Sequence, residues 1–553
     1  MLKFVIHRGP DDQGLFSSFK ISLGQARLSI IDLSSKGRQP MFSEDKKVAL
    51  VFNGEIFNFI ELRKELIKHG HKFKSKTDTE VVVHGYEEWG LEVIKKLRGF
   101  FAFALWDEKK ETLFLVRDRI GVKPLYYYQD GEKIFFASEI KAILANSEIK
   151  RKVNKEAYYQ YLAFQASLGE KTLFQEIKKV PPASILSFKN GKLGKEKYWK
   201  LEKNKSLLVA NPEKKLEELL LESVKIRLTS DVPLGVMLSG GLDSSAIVAL
   251  MDRLGVKKIN TFTVGFGQPD DEFSYARLVA KKYKTNHQEI LLKPKDIQEI
   301  LKKIVWHQDE PLADGGGIAT YLAAQAVREK VKVVLIGEGG DELFGGYSWY
   351  RLGLPYFKYF PEELKARIYY YLTTFYNKNK VQGVDQHVFF TNLLNKNKGN
   401  FLDKMISYEI ENILPNSLCM KVDKMTSAWG LEARAPFLDY QLMEFCFSLG
   451  EESKISLRSN KVLFKKVMSK YLPEEIINRR KHGFLLPTLK WLNDDLKDFT
   501  REVIFDSSSF SQNNFSKKER EDLFIKKSYF SELERVNLLW RLLIFELWYK
   551  IYA

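Results

Sequence analysis

The chain has 553 residues, 44% of them hydrophobic and 29% charged, and carries a formal charge of +17. Single hydrophobic cores stop growing near about 250–300 residues, so at least two domains are expected. No apolar run approaches the roughly 18 residues of a membrane helix, and two cysteines are too few for a disulfide framework or a cysteine-rich zinc site. The lysine excess comes without a helix-turn-helix, zinc-finger or aromatic RNA-binding signature, so no nucleic-acid partner is expected.

The opening residues Met1 to Arg8 lack the long apolar stretch and small-residue cleavage site of a secretory signal, which predicts a cytoplasmic protein. Cys419 and Cys446 are expected in the core. Up to about Lys150, short apolar or alternating runs between turn residues predict antiparallel strands with two helices among them. Residues 48–52 read as a strand that ends at Asn53-Gly54, a strong turn signal, and Asn58 reads as the cap of a helix over 58–66. Asp78 precedes a second helix through Trp89, and the strand-like runs 101–106, 112–117, 125–128 and 134–137 read as one meander.

The lysine-rich stretch 200–205, followed by Asn211-Pro212, marks a linker between domains at 1–200 and 212–553. From Val232 the texture alternates. Strands are expected at 232–238, 259–264, 287–292 and 331–336, with helices at 244–254, 274–283, 295–306 and 318–328. Such alternation predicts an α/β domain with a doubly wound parallel sheet. Beyond Tyr347 the chain reads as a long, helical, aromatic-rich extension.

Leu238-Ser239-Gly240-Gly241-Leu242-Asp243-Ser244-Ser245 leaves an apolar strand and opens a helix. Two glycines let successive N–H groups face one anion, the helix N-terminus adds partial positive charge, and the serines add hydroxyl donors. Asp243 is placed to hold Mg²⁺. The loop suits pyrophosphate, and without a Gly-Lys-Ser/Thr ending it is not the loop of kinases and GTPases. A second cluster, Gly337-Glu338-Gly339-Gly340-Asp341-Glu342, follows the strand expected at 331–336. In a doubly wound sheet it should face the first loop across one crevice and make Asp341 a second metal ligand.

These two loops, followed in order by Glu432-Ala433-Arg434-Ala435-Pro436-Phe437-Leu438-Asp439, by Lys461 and by Asn478-Arg479-Arg480-Lys481-His482-Gly483-Phe484, resemble the synthetase domain of glutamine-dependent asparagine synthetases. The resemblance implies an ATP pyrophosphatase fold in which ATP and Mg²⁺ adenylate the side-chain carboxylate of aspartate, and ammonia then displaces AMP. It further implies that Leu238, Val264, Ile336 and Gly337 enclose the adenosine, that Glu338 contacts the acyl-adenylate, and that Lys461 and Lys481 supply cations. Taken alone, each lysine reads as an ordinary solvated side chain.

The first domain resembles the glutaminase half of the same family, an N-terminal-nucleophile hydrolase with an αββα architecture. Matching stretches are His7-Arg8-Gly9-Pro10-Asp11, Arg27 to Asp32, Asn53 to Asn58, Asp78 in Thr-Asp-Thr-Glu, and Arg117 to Gly121. By resemblance Arg27 clamps the glutamine α-carboxylate, Glu55 and Asp78 hold its ammonium, and Asn53 with Gly54 stabilises the oxyanion. The family begins Met-Cys-Gly, the cysteine being its nucleophile, whereas this sequence begins Met1-Leu2 just ahead of the His-Arg-Gly-Pro-Asp element. The expectation is therefore an incomplete glutaminase-like domain, with the N-terminal segment and its cysteine absent, and free ammonia as the nitrogen source.

Three other enzymes or roles compete. A β-lactam synthetase would have no need of Arg27, Asn53-Gly54-Glu55 and Asp78, and an enzyme that thiolates transfer RNA needs reactive cysteines. A degenerate interaction subunit would not need Asp243 and Asp341. Amide-forming relatives in cell-surface sugar pathways share the loops and leave the acceptor acid open, with aspartate the default. The family resemblance points to a homodimer.

Overall fold

The computed structural model describes residues 1–207, 209–267, 271–292, 296–374, 380–381, 384–479, 488–525 and 529–553. The N-terminal part is built on a six-stranded antiparallel sheet whose central strands are Val48–Ile56, Gly99–Asp107 and Thr112–Arg117. Alternate residues of a strand face opposite sides, and here both sides are apolar. Leu50, Phe52, Phe101, Phe103 and Val116 pack with the helices Phe59–Lys68 and Glu80–Trp89. Ala49, Val51, Ala102, Ala104, Trp106 and Leu115 instead pack with Tyr127 of a smaller sheet and with Leu125 and Val180, which flank its strands. That smaller sheet joins Tyr126–Asp130 to Lys133–Ala137 and Lys178–Lys179. Its Tyr126 packs with the helices Ile140–Ile143 and Lys155–Phe164, which completes the αββα layering.

Three local expectations are corrected. The runs expected as one meander divide between two sheets, because the chain turns away after Arg117. Asp118 fixes that turn by accepting the backbone N–H groups of Ile120, Gly121, Val122 and Lys123 at 2.7–3.0 Å. Asn53-Gly54 is not a turn: the strand runs through it to Ile56, with Asn53 opposite Ala102 and Gly54 opposite Phe101. Gly54 has φ +136°, and a Cβ there would stand 2.0 Å from the Phe100 carbonyl oxygen, so glycine serves close approach of two strands. Asn58 precedes its helix without capping it; its side chain bridges to the Lys96 carbonyl at 3.0 Å and the Arg98 N–H at 2.9 Å.

The C-terminal part holds a five-stranded parallel sheet in the order Asn286–Leu291, Asn260–Gly265, Leu234–Met237, Val333–Leu335, Glu432–Arg434. Val236 and Leu335 pack with the helices Pro212–Ile226 and Leu242–Arg253 on one face. Phe262 and Val334 pack with Ala324 and Val327 of the helix Gly316–Arg328 on the other. The helix expected from Lys295, a residue outside the described set, runs Ile297–Gln308. The region beyond Tyr347 is not wholly helical, since Glu432–Arg434 returns as the edge strand. A strand of three residues is too short to register as periodicity.

From Leu234–Met237 the chain winds outward to one side, and it then returns past that strand to place Val333–Leu335 on the other. That reversal makes the ends of these two strands the switch point where ligands of such sheets bind. The two parts of the chain share one apolar core, in which Phe57, Phe100 and Ile120 pack with Leu219, Leu220 and Phe437. Among the described residues no helix is long and apolar enough to cross a membrane.

Candidate active site

At the switch point Leu238 directly follows one strand and Ile336 the next; the Leu238 N–H donates to the Phe262 carbonyl at 2.8 Å and the Ile336 N–H to the Arg434 carbonyl at 3.0 Å. Leu238 and Val264 are buried, Ile336 and Gly337 half-buried, all at the carboxyl ends of adjacent strands. The glycine-serine loop between Leu238 and the helix Leu242–Arg253 closes on itself. The Ser239 N–H donates to Ser244 Oγ at 3.1 Å, the two hydroxyls lie 3.0 Å apart, and the Gly241 N–H donates to Ser239 Oγ at 3.2 Å. The N–H groups of Ser239 and Gly241, expected to face an anion, are thus directed at the loop's own hydroxyls. Gly240 sits at the loop's apex with φ +66°. Ser245 is buried in the first turn of the helix, and its hydroxyl has no hydrogen-bond partner among the described residues.

The two acidic loops meet. Lys461 Nζ lies 2.7 and 2.6 Å from the carboxylate oxygens of Asp243 and 2.8 Å from Asp341 Oδ1. Burial works against the ammonium, but the two carboxylates outweigh it and raise the Lys461 pKa well above the usual lysine value. Two features hold this geometry. Lys461 has φ +52°, a left-handed conformation costly for a lysine, just ahead of the helix Val462–Met468. Gly346 leaves room, because a Cβ there would stand 1.9 Å from Asp341 Oδ1 and 2.5 Å from Lys461 Cε. Next to Asp341, Glu342 is buried and accepts the Tyr347 hydroxyl at 2.6 Å, and its pKa is pushed up to about 8 by burial and then by Asp341's charge. Glu338 is half-buried, close enough for its charge to act on Lys421, which pairs with Asp314 at 2.7 Å. Lys481 falls within residues 480–487, outside the described set.

The N-terminal part encloses a cavity of about 1130 Å³ lined by Arg27, Asn53, Gly54, Glu55 and Asp78, so the structure brings together the whole set expected to bind glutamine. Each of its polar side chains already has a protein partner. Arg27 donates to the carbonyls of Ser34, Ile31 and Asp32 at 3.0, 3.2 and 2.5 Å. Asn53 Nδ2 donates to Ser138 Oγ at 3.3 Å. Asp78 accepts the Ile56 N–H at 2.8 Å and the Thr77 hydroxyl at 3.1 Å, and burial pushes its pKa up to about 6. Glu55 pairs with Arg434, reaching across from the edge strand of the other sheet, and burial raises its pKa well above normal. Arg434 also pairs with Glu432 at 2.8 Å and donates to the Arg227 and Thr229 carbonyls at 2.7 and 2.8 Å. Neither Cys419 nor Cys446 lines the cavity; both are buried, and burial pushes the Cys446 thiol up to about 12.

Comparison with known proteins agrees with this two-part layout. Residues 215–550 match the asparagine synthase family model and residues 1–199 the glutamine amidotransferase domain model. The chain belongs to the asparagine synthase family. Asparagine synthetase [glutamine-hydrolyzing] 1 of Bacillus subtilis is 32% identical over 609 aligned residues, covering 100% of this chain and 93% of that protein. Asparagine synthetase [glutamine-hydrolyzing] 3 of the same organism is 31% identical over 86% of this chain and 82% of its own length. Putative asparagine synthetase [glutamine-hydrolyzing] 2 of Methanocaldococcus jannaschii is 40% identical over 63% of this chain and 72% of its own length. As a member of the asparagine synthase family the chain is a ligase.

Within the asparagine synthase domain the structure adds a residue to which the sequence assigned no role. Arg479 Nη1 donates to the Ser239 carbonyl at 3.0 Å, Nη2 pairs with Glu272 at 2.6 Å, and its guanidinium lies 4.2 Å over the Tyr275 ring. Its only signal was membership of the Asn478-to-Phe484 motif. Arg434 is the second such residue, since nothing local tells that its side chain reaches the other domain.

Proposed function

We propose that this chain forms asparagine from aspartate: ATP adenylates the β-carboxylate, pyrophosphate leaves, and ammonia attacks the acyl-adenylate to release AMP. The observation that carries the reading is the convergence of Asp243, Asp341 and Lys461 beside a glycine-serine loop at the switch point of a parallel sheet. Joining a carboxylate to the α-phosphate brings two anions together; Lys461 sets one positive charge beside that point, and Asp243 with Asp341 sets two carboxylates that would hold a divalent cation there. The backbone and hydroxyls of residues 239–244 receive the pyrophosphate, exchanging their internal hydrogen bonds for phosphate oxygens. Lys461 then faces the developing charge, and Glu338 lies on the side of the acyl group. Leu238, Val264, Ile336 and Gly337 supply the walls for adenosine.

Two carboxylates that both reach one nitrogen are hard oxygen donors close enough to share one cation, which fits Mg²⁺. Asp243 and Asp341 would hold it, and when bound it neutralises phosphate charge. In the N-terminal cavity Arg27, Glu55 and Asp78 have the chemistry for a free amino acid, a guanidinium for its carboxylate and two carboxylates for its ammonium. With both cysteines outside that cavity, ammonia is the nitrogen donor we infer for these 553 residues. The test is pyrophosphate release from ATP, Mg²⁺ and aspartate, with ammonium compared with glutamine. Turnover with ammonium supports the reading; equal turnover with glutamine removes the inference on nitrogen source; no turnover with either removes aspartate as acceptor.

A further inference from the structure

Away from both centres, one face of the N-terminal domain gathers histidines and glutamates on three segments. Glu44 lies in the turn between Met41–Phe42 and Val48–Ile56, His71 follows the helix Phe59–Lys68, and His84 and Glu87 stand one turn apart on Glu80–Trp89. One ligand-capable atom of each of the four lies within 4.8 Å of all the others. His84 Nδ1 is 3.0 Å from Glu87 Oε2 and 4.0 Å from Glu44 Oε2, and the His71 and His84 rings are 5.1 Å apart.

The other nitrogen of His84 supplies an independent observation. His84 Nε2 faces Glu80 Oε1 at 3.5 Å, and Glu80 is itself fixed by the N–H groups of Lys74 and Ser75 at 2.7 and 2.8 Å. A carboxylate on one imidazole nitrogen sets the tautomer and aims the second nitrogen's lone pair, which is how metal-binding histidines are oriented. His84 is buried and held rigidly, whereas Glu44 and Glu87 are exposed and His71 half-buried, so the cluster is open to an ion from solvent. Two imidazole nitrogens with two carboxylate oxygens are a donor set for Zn²⁺ in tetrahedral geometry, and a poor one for Mg²⁺ or Ca²⁺.

We propose that Glu44, His71, His84 and Glu87 form a Zn²⁺ site, with Glu80 as the carboxylate that orients His84. The ion clamps the 43–47 turn and the segment after Lys68 to the helix that begins directly after Asp78 and Thr79, steadying one wall of the N-terminal cavity. The test uses the full chain, stripped with a chelator and titrated with Zn²⁺ against a chromophoric competitor in excess Mg²⁺, which masks sites built from oxygen alone. One equivalent is expected to bind. Glu87→Gln and His71→Ala are each expected to weaken it at least about 10-fold, and Glu80→Gln by roughly 10–100-fold through the loss of orientation. Glu87 is exposed, so its variant keeps the test open if a substitution at His71 or Glu80 unfolds the domain. Failure of the unsubstituted chain to bind Zn²⁺ overturns the proposal, as does an affinity unchanged in Glu87→Gln and His71→Ala.

Discussion

The switch-point crevice and the N-terminal cavity each gather charged residues from separate segments, but they treat them differently. In the crevice, Asp243, Asp341 and Lys461 converge on one point, and the side chains of the two aspartates keep 22% and 17% of their exposure. In the cavity, Arg27, Glu55 and Asp78 are each about 5% exposed and individually tied to backbone or to Arg434. Burial works against the charged forms of Glu55 and Asp78 and raises both pKa values, so what holds their charge is the set of partners the fold supplies, Arg434 for Glu55 and the Ile56 N–H and Thr77 hydroxyl for Asp78. The crevice groups depend on one another for charge compensation; the cavity groups depend on the surrounding fold. Substitutions in the first should therefore be read mainly in turnover, and in the second mainly in stability.

The largest effect is expected in the crevice. Asp341→Asn should lower ammonia-dependent pyrophosphate release by about 10³-fold, the scale on which loss of one preorganised electrostatic group acts, while the urea midpoint moves little. A stability loss that matched the activity loss would erase the contrast. Across the domain boundary, Arg434→Met should cost about 3–5 kcal/mol, because it leaves the buried Glu55 and the half-buried Glu432 without their cation. Urea unfolding of Arg434→Met, alone and combined with Glu55→Gln, measures this, and the second change should recover part of the loss.

Asp78 offers a test by pH. Its folded pKa of about 6 lies above the ordinary 3.8, so the folded protein keeps a proton that the unfolded chain releases between these values. Stability from this group is full below about pH 4 and is lost as pH rises through 6, on the order of 3 kcal/mol in total. Asp78→Asn should remove that slope from urea unfolding measured between pH 4 and pH 7; an unchanged slope would mean that burial does not act on this carboxyl. The smallest effect concerns the loop's support. Arg479→Lys cannot reproduce the fork to Ser239 and Glu272 or the stacking on Tyr275, and it should raise KM for ATP about 10-fold (roughly 1.4 kcal/mol) with kcat nearly unchanged.

Much of the crevice was legible because its signals are local. Glycines and acids directly after apolar strands mark strand-to-helix turns whatever the rest of the chain does, and the alternation of strands and helices implies the parallel sheet. The cavity was legible only through family motifs; nothing local shows that Arg27 is saturated by carbonyls or that Glu55 meets Arg434. Asn53-Gly54 misled for a physical reason, since the same conformational freedom that suits a turn also admits the Phe100 carbonyl against a strand. Asn58 misled similarly, its amide being used across the fold rather than at its own helix.

By itself the sequence determined the class of each part, the alternation of strands and helices from residue 232 to residue 336 and the residue types at both centres, because periodicity and turn chemistry act over a few neighbouring residues. Only the tertiary structure decided that a three-residue strand closes the second sheet, that Lys461 stands between two aspartates, and that Arg434 of that strand meets Glu55 of the other part. Those outcomes depend on contacts between segments far apart in the chain, where burial and charge compensation are set by the whole fold and leave no local trace.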